Sequence, residues 1–341
     1  MTGAPATKSE SSLGVVHYGL GSIGLEVARL VAERSELRSV GAVDVRPELV
    51  GKHLGELIAA PGGRPNVVVS EARAALAAPG ADVVAHCTGS SLERVVPQLV
   101  ECVEAGLSVV STCEELSYPR DRAPEVTARL DRAARAAGVA VLGTGVNPGF
   151  AMDYLPVVLS AAMRRVDRVD VHRVQDAGLR RIPLQQKVGA GITVEEFAER
   201  VRAGTIGHVG LPESARMIAA AFGWNLTDVR ETLEPHVADR PTPSGLGEIA
   251  PGRVTGIHQI VSAVAGDREV VALTLDMAVG LDAPRDEIRL FGDPDLSTVI
   301  PGGLHGDVAT AAVVVNALAI TAGAPPGLRV MTELPPPRPR P

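Results

Sequence analysis

The sequence predicts an α/β protein in which an N-terminal domain on a parallel sheet precedes a second, α+β domain on a mainly antiparallel sheet. The chain has 341 residues, more than one typical domain needs, and 45% of them are hydrophobic, enough for two cores. Strands alternate with helices in the first half, whereas strands follow one another directly in the second. We place the domains at residues 13–150 and 151–334, flanked by a flexible N-terminal tail (1–12) and a proline-rich tail (335–341).

Six short apolar segments in the first half are typical of buried strands, and amphipathic helical segments separate them. A parallel sheet requires this alternation, because each crossover between parallel strands needs a long connection such as a helix. The predicted strands are Leu13–Tyr18, Leu37–Val43, Val67–Val69, Val83–His86, Val109–Ser111 and Val139–Leu142.

The second half has a different pattern, with few helices and long alternating segments that predict antiparallel strands. The predicted helices are Tyr154–Met163, Thr193–Arg202 and Glu213–Phe222, and the predicted strands are Val166–Gln175, Arg253–Val264, Glu269–Val279 and Glu287–Phe291. A final helix rich in alanine and valine, Asp307–Thr321, either belongs to this domain or returns to the first one.

A glycine-rich turn joins the first predicted strand to the first predicted helix. The first glycine permits the tight turn, the second lets backbone N–H groups approach a pyrophosphate, and the third lets the helix pack closely on the strand. The positive end of the helix dipole then faces the phosphates. The order of strand, turn and helix predicts a Rossmann dinucleotide site. Its predicted cofactor-binding residues are Gly19, Leu20, Gly21, Ser22, Ile23 and Gly24.

Two charged residues after the second strand bear on which dinucleotide binds. Asp44 is placed to accept hydrogen bonds from the adenosine ribose hydroxyls, which favours NAD, whereas the Arg46 guanidinium is placed to pair with a 2′-phosphate, which favours NADP. The alternatives are a turn-capping aspartate and a solvated arginine. The predicted cofactor is therefore NAD or NADP.

Three more segments follow first-domain strands, at the sheet edge where open α/β sheets bind ligands. Thr88, Gly89 and Ser90 are small enough to line the ribose and diphosphate, although Ser90 is also a candidate helix cap. Thr112 and the carboxylates Glu114 and Glu115 follow the fifth strand, near the expected nicotinamide position. Asn147 and Pro148 follow the sixth strand, and the asparagine amide matches the nicotinamide carboxamide.

Composition and charge exclude several other classes of protein. The net charge of −7 and the low aromatic content of 2% argue against a nucleic-acid partner. We find neither an apolar run of membrane-spanning length nor a signal peptide, so we predict no membrane association. The three cysteines are odd in number and lack CxxC spacing, which predicts neither disulfides nor a metal site and favours a reducing cytoplasm.

Four further motifs resemble those of 2,4-diaminopentanoate dehydrogenase and the native NAD(P)-dependent amine dehydrogenases. The motifs are Thr112–Pro119, Gly143–Asp153, Pro183–Gly191 and Gly207–Ser214, and the resemblance extends from about Gly14 to Gly323. It implies a Rossmann domain joined to a dihydrodipicolinate-reductase-like α+β domain, usually in a homodimer. It also implies a catalytic glutamate within the Glu114–Glu115 pair. The His-His-x-x-Lys run of true dihydrodipicolinate reductases is absent, which disfavours that reaction.

The chemistry of amine oxidation agrees with a carboxylate at this position. Hydride transfer from an amine carbon requires a neutral amine and produces an iminium cation, so a carboxylate can accept the ammonium proton and then stabilise the positive charge. We predict oxidative deamination of a primary amine to a ketone or aldehyde and ammonia, and the reverse reductive amination. Glu114 continues the strand and is favoured over Glu115, which is better placed to begin the next turn.

Some assignments stay open at this level. Phe150 and His258 are candidate substrate contacts, with a core or interface role as the alternative for His258. His208 and the pair Arg180-Arg181 are candidates to close over the site, with loop-structuring and solvated roles as alternatives. A different imine or carbonyl reductase and a nucleotide-binding redox sensor without turnover are the alternative functions. A sensor, however, needs no carboxylate beside the nicotinamide.

Overall fold

The computed structural model describes residues 12–60 and 64–339. Most of the predicted N-terminal tail and the last two residues of the proline-rich tail lie outside this part of the chain, and residues 335–339 form neither helix nor strand. None of the described helices has both the length and the apolar character that a membrane span needs.

The first domain contains a seven-stranded, fully parallel sheet with the spatial order β15-β6-β5-β4-β1-β2-β3. Its strands are formed by buried aliphatic runs, as a sheet covered on both faces requires. The strands are β1 (Leu13–Tyr18), β2 (Leu37–Val43), β3 (Val69–Ser70), β4 (Val83–His86), β5 (Ser108–Ser111), β6 (Ala140–Gly143) and β15 (Gly327–Arg329).

Helices cover both faces of this sheet. On one face α1 (Ser22–Ala32) and α10 (Gly306–Ala322) pack together and bury Val27 and Leu318 in one core. On the other face α4 (Leu92–Glu104) and α5 (Pro124–Ala137) bury Leu99 and Leu130 in a second core. Two short helices, α2 (Leu54–Leu57) and α3 (Ala72–Leu76), lie near the β2 end of the sheet.

The second domain contains a six-stranded sheet with the order β14-β13-β7-β12-β11-β8. Its neighbouring strands are antiparallel except for the β12–β7 pair, which is parallel. The strands are β7 (Arg165–Asp176), β8 (Asp228–Val237), β11 (Val254–Ala265), β12 (Arg268–Ala278), β13 (Arg285–Asp293) and β14 (Leu296–Pro301). A small hairpin of β9 (Thr242–Ser244) and β10 (Gly247–Ile249) precedes β11.

The helices of this domain are α6 (Tyr154–Leu159), α7 (Ile182–Lys187), α8 (Val194–Arg202) and α9 (Leu211–Phe222). Helices α8 and α9 pack on one face of the six-stranded sheet, where Phe197 and Ile218 join the core with Val261. Every second side chain of each strand points away from that core to the opposite face, because successive side chains of a strand point to opposite faces of the sheet. We call this surface the open face of the sheet.

The architecture confirms the predicted fold class, a parallel Rossmann-type sheet followed by an α+β domain on a mainly antiparallel sheet. Two findings differ in detail from the sequence prediction. Helix α10 packs on the first-domain sheet, which is the second of the two placements left open for it, whereas the strand β15 beside β6 was not predicted. Residues 306–329 therefore lie with the first domain, although our boundaries included them in the second. Strands β8 and β14 were not predicted, because charged residues and a proline interrupt the apolar pattern of β8, and β14 is short and contains the adjacent polar residues Ser297 and Thr298.

Candidate active site

A cleft of about 470 Å³ lies at the carboxyl ends of the first-domain strands, and the second domain forms its other wall. The position agrees with the rule that open α/β sheets bind ligands beyond the carboxyl ends of their strands. The predicted site residues that line it are Gly21, Ser22, Ile23, Thr88, Gly89, Ser90, Thr112, Glu114, Asn147 and Pro148.

The three glycines of the β1–α1 turn differ in their surroundings. A Cβ on Gly19, which has φ +91°, would lie 2.6 Å from the Cys87 carbonyl oxygen, and a Cβ on Gly24 would lie 1.9 Å from the Gly19 carbonyl oxygen. A Cβ on Gly21 would meet nothing within 4 Å. Gly19 and Gly24 therefore permit close backbone packing, whereas Gly21 leaves open space at the amino end of α1. This space fits the pyrophosphate of a dinucleotide.

Asn147, after β6, presents an unused amide to the cleft. Its side-chain oxygen and nitrogen have no hydrogen-bond partner among the described residues, although the residue is only 8% exposed. The loop around it is well held, because the buried Asp153 carboxylate accepts hydrogen bonds from the Gly149 and Tyr154 N–H groups and the Ser214 hydroxyl. A buried polar group without a partner is costly, and a carboxamide matches both of its atoms. Together with the Gly21 space, this amide fits a nicotinamide cofactor.

Glu114 and Glu115 are adjacent in sequence and have different environments. Glu114 lines the cleft, where burial raises the pKa of its carboxyl group, while the charge of Lys187 and a hydrogen bond from Ser90 oppose the increase. Glu115 turns away from the cleft. Its carboxylate accepts a 2.7 Å hydrogen bond from the Leu92 N–H at the start of α4 and lies 3.2 Å from Arg122. Glu115 thus has the contacts of a helix-capping residue.

Asp44 and Arg46 form an ion pair beside the glycine turn. The Asp44 carboxylate accepts four hydrogen bonds, one from the Leu20 N–H (2.8 Å), one from the Arg46 N–H (3.0 Å) and two from the Arg46 guanidinium (both 3.0 Å). Burial disfavours the ionised carboxylate, but these bonds outweigh burial and lower the Asp44 pKa to about 2. The four contacts use the acceptor positions of both carboxylate oxygens, so a ribose hydroxyl competes with Arg46 for them.

The second-domain wall brings cationic and imidazole side chains to the cleft. Lys187, the last residue of α7, is close enough to Glu114 to oppose the increase in its pKa. His208 donates from Nε2 to the Asn147 carbonyl at 3.1 Å, and its own backbone N–H bonds the buried Gln259 side chain. Burial, assisted by the Lys187 charge, lowers the pKa of His208 to about 3, so this imidazole is neutral. His208 therefore positions the asparagine loop.

Arg180 and Arg181 connect the two walls. Both pair with Asp307 at the start of α10, Arg180 at 2.8 Å and Arg181 at 3.1 Å. Arg181 also donates to the hydroxyl of Ser22, the first residue of α1. The second domain therefore reaches the end of the helix that faces the expected phosphates, and both arginines line the cleft.

Two candidate substrate residues do not reach the cleft. Phe150 packs against Tyr154, with ring centroids 6.3 Å apart, beside the core under α10. His258 lies on β11 and points to the open face of the sheet, because its neighbours Ile257 and Gln259 take the core-facing positions. We therefore withdraw both residues from the substrate site.

Several lining residues were absent from the sequence prediction. Lys187 lies in the motif Pro183–Gly191 that carried the family resemblance, so that motif was the available signal. Pro183 and Leu184 lie in the same motif, and residues 144–146 lie in the motif Gly143–Asp153. The remaining residues have no signal within a single sequence, because the fold alone brings them to the cleft. The unpredicted lining residues are Thr144, Gly145, Val146, Arg173, Pro183, Leu184, Lys187, Met277, Gly306, Asp307 and Thr310.

The cleft can now be compared with known proteins. Residues 150–340 match the model of the 2,4-diaminopentanoate dehydrogenase C-terminal domain. Over 332 residues, 95% of this chain and 94% of the relative, the sequence is 32% identical to 2,4-diaminopentanoate dehydrogenase from Acetoanaerobium sticklandii. The chain belongs to the 2,4-diaminopentanoate dehydrogenase family. The family resemblance inferred from the motifs is thereby confirmed.

Two further relatives are amine dehydrogenases. The structure of amine dehydrogenase from Mycobacterium smegmatis superposes with a TM-score of 0.85 at 27% identity, covering 97% of this chain and 98% of that one. An amine dehydrogenase from Streptomyces virginiae is 26% identical over 269 residues, 76% of this chain and 73% of its own length. Both domains are therefore shared with an amine dehydrogenase of known structure.

Proposed function

We propose that this protein is an NAD(P)-dependent amine dehydrogenase, which oxidises a primary amine to a ketone or aldehyde with release of ammonia and also catalyses the reverse reductive amination. The observation that carries the proposal is the partly buried Glu114 carboxylate, which faces the same cleft as the open space at Gly21 and the unpartnered Asn147 amide. The relatives named as amine dehydrogenases support it.

In the oxidative direction the substrate must lose a proton before it loses a hydride. Bound NAD or NADP supplies the hydride acceptor. The Glu114 carboxylate accepts the ammonium proton and, once this proton has passed to solvent, stabilises the iminium charge that develops on the substrate. Water then adds to the iminium carbon, and loss of ammonia leaves the carbonyl product. The raised pKa of Glu114 suits a group that must both accept and release a proton near neutral pH.

The test compares two neighbouring substitutions of the same kind. Glu114→Gln keeps the shape of the side chain but cannot accept a proton, so we expect amine turnover to fall by at least ~10²-fold, the usual contribution of general acid–base catalysis. Cofactor affinity, measured by fluorescence titration of NADH and NADPH, should barely change. Glu115→Gln is the matched control and should retain most of the turnover.

Initial rates on a panel of amines with NAD⁺ and NADP⁺ provide the measurement. If only Glu115→Gln loses turnover, Glu115 rather than Glu114 is the catalytic carboxylate. Normal turnover in both variants would refute the carboxylate mechanism. The proposed activity would be contradicted if the wild-type protein binds NADH but neither oxidises an amine nor aminates a ketone or aldehyde in the presence of ammonia. This result would favour a different imine or carbonyl reductase, or a nucleotide-binding redox sensor.

We propose that both NAD and NADP are accepted. The Arg46 guanidinium neutralises Asp44, so a 2′-phosphate approaches an ion pair rather than a lone carboxylate. When Arg46 moves aside, Asp44 becomes available to the ribose hydroxyls of NAD. The Arg46 side chain is 45% exposed, which leaves it room to move, whereas Asp44 is held by the Leu20 N–H.

We also propose a homodimer formed through the open face of the six-stranded sheet. This face carries exposed apolar groups, with Phe291 37% and Val299 46% exposed, and α8 and α9 cover only the opposite face. Light scattering should report twice the mass of one chain, and the double substitution Phe291→Asp with Val299→Asp should lower it. A wild-type mass of one chain would contradict the dimer. The cytoplasmic location and the absence of nucleic-acid and membrane partners stay predictions from the sequence.

A further inference from the structure

Three histidines surround one aspartate on the open face, away from the cleft. The Asp276 Oδ1 atom lies 2.6 Å from His236 Nε2 and 2.7 Å from His258 Nδ1, and its Oδ2 atom lies 2.5 Å from His172 Nε2. The four residues are on four different strands, β8, β11, β7 and β12. Sheet register places them together, because His258 is directly opposite Asp276 and belongs to the same face.

The cluster is accessible in the single chain. The three imidazoles are between 31% and 36% exposed and Asp276 is 12% exposed. The cluster therefore combines carboxylate oxygens with imidazole nitrogens on the open face, which is also the face that we propose as the dimer interface. None of its members takes part in the proposed mechanism.

We propose that His236, His258 and Asp276 form a zinc-binding site. Their ligand atoms all lie within 4.8 Å of one another, a spacing that small side-chain rotations adapt to the 2.0–2.2 Å bonds of zinc to nitrogen and carboxylate oxygen. Two imidazoles and one carboxylate are a ligand set that zinc accepts, whereas magnesium and calcium prefer oxygen ligands alone. His172 bonds the second carboxylate oxygen and is placed to orient Asp276 or to serve as a fourth ligand.

The cysteine spacing of the sequence predicts no metal site, and this cluster contains no cysteine. The ligands are 22 and 18 residues apart in the chain, and only the antiparallel pairing of β8, β11 and β12 brings them together. An ion at this position would join these three strands, and His172 would extend the link to β7. We therefore infer a structural ion that ties the centre of the sheet together. This inference does not depend on the proposed activity.

The experiment measures zinc in the purified full-length protein without a histidine tag. After treatment with EDTA and dialysis against a small excess of ZnCl₂, followed by removal of free metal, elemental analysis should report one zinc per chain in the wild type. His258→Gln and Asp276→Asn should each reduce this to a small fraction. His305→Gln is the matched control, because His305 is exposed and lies outside the cluster, and it should retain the wild-type zinc content.

Two further measurements keep the result unambiguous. Circular dichroism shows whether each variant is folded. If a variant is not folded, the wild type alone decides, through CoCl₂ titration, in which a bound cobalt ion gives visible absorption that ZnCl₂ abolishes. Wild-type protein should also unfold at a higher temperature with zinc than after EDTA treatment. Less than a tenth of an equivalent of zinc in the wild type, or equal zinc in folded His258→Gln, Asp276→Asn and wild type, would overturn the proposal.

Discussion

The two walls of the cleft are built in different ways. The first-domain wall consists of short loops at the ends of neighbouring parallel strands, and these loops carry Gly21, Ser90 and Asn147. The second-domain wall consists of long charged side chains, Lys187, Arg180 and Arg181, that reach across from α7 and the segment before it. We infer that the first wall determines whether the cofactor binds, whereas the second tunes the charges around it.

The largest expected effect comes from filling the space at Gly21. Gly21 has φ −62°, which any residue adopts, and its missing Cβ faces open space, so Gly21→Val should fold normally. The valine side chain should exclude the pyrophosphate and so remove about two charge-assisted hydrogen bonds. At ~1.5 kcal/mol for each bond, the affinity for the cofactor should fall by at least ~10²-fold. NADH titration and thermal unfolding are the measurements. Gly323→Val, outside the cleft at the end of α10, is the control, and unchanged affinity in Gly21→Val would show that the phosphates bind elsewhere.

A smaller effect should follow from separating Asp44 and Arg46. Asp44→Ala should weaken NAD more than NADP by ~1–3 kcal/mol, since hydrogen bonds to a charged group are lost and repulsion of a 2′-phosphate is relieved. Arg46→Ala should change the preference in the opposite direction, because it frees the Asp44 carboxylate and removes the positive charge. The ratio of kcat/KM for the two cofactors is the measurement. If kcat/KM falls equally for NAD and NADP in both variants, Asp44 and Arg46 do not determine the cofactor preference.

A change in pH dependence should follow from Lys187→Met. Burial raises the Glu114 pKa and the Lys187 charge opposes that increase, so removal of the charge should raise this pKa further. Because the carboxylate must be ionised to accept a proton, oxidative kcat/KM decreases as the pH falls through the Glu114 pKa. In Lys187→Met this decrease should begin at higher pH. Lys52→Met, on the exposed surface of the first domain, is the control, and an unchanged or lower inflection in Lys187→Met would contradict the coupling.

The smallest effect should come from the contact between the walls. Arg181 is 45% exposed and pairs with Asp307 and Ser22, so Arg181→Ala should raise the KM for the cofactor only a few-fold, in keeping with the ~0.2–1 kcal/mol of exposed ion pairs. The effect should diminish as salt concentration increases. A loss as large as that of Gly21→Val would show that the second wall is essential for cofactor binding.

The same contrast explains how much the sequence revealed. The bounds of β1, β2 and β4 agree with the prediction, because buried parallel strands appear as apolar runs between glycine and helical segments. The predicted residues that line the cleft closely follow the strands β1, β4, β5 and β6 in the chain. Their relative positions were therefore predictable from local patterns, as ten of the predicted residues that line the cleft illustrate.

The structure of the second domain was harder to predict from the sequence. Strand β8 contains Arg230, Glu231 and Glu234, which are compatible with an edge strand but conceal its alternation. Phe150 and His258 were assigned to the substrate site because of their residue type and position in the sequence. The sequence did not predict the direction in which either side chain points from its turn or strand. Arg173 and Met277 approach the cleft only through tertiary packing, which one sequence does not encode in any local pattern.

The return of α10 and β15 to the first domain bears on how the chain is made. Strands β1 to β6 leave the ribosome first, yet one face of their sheet, including Val15, Val83 and Val110, packs against Val314 and Leu318 of α10. That cover is synthesised only after the whole second domain. The domain that begins first is thus completed last, and this part of its apolar face lacks the cover of α10 until the second domain has been synthesised.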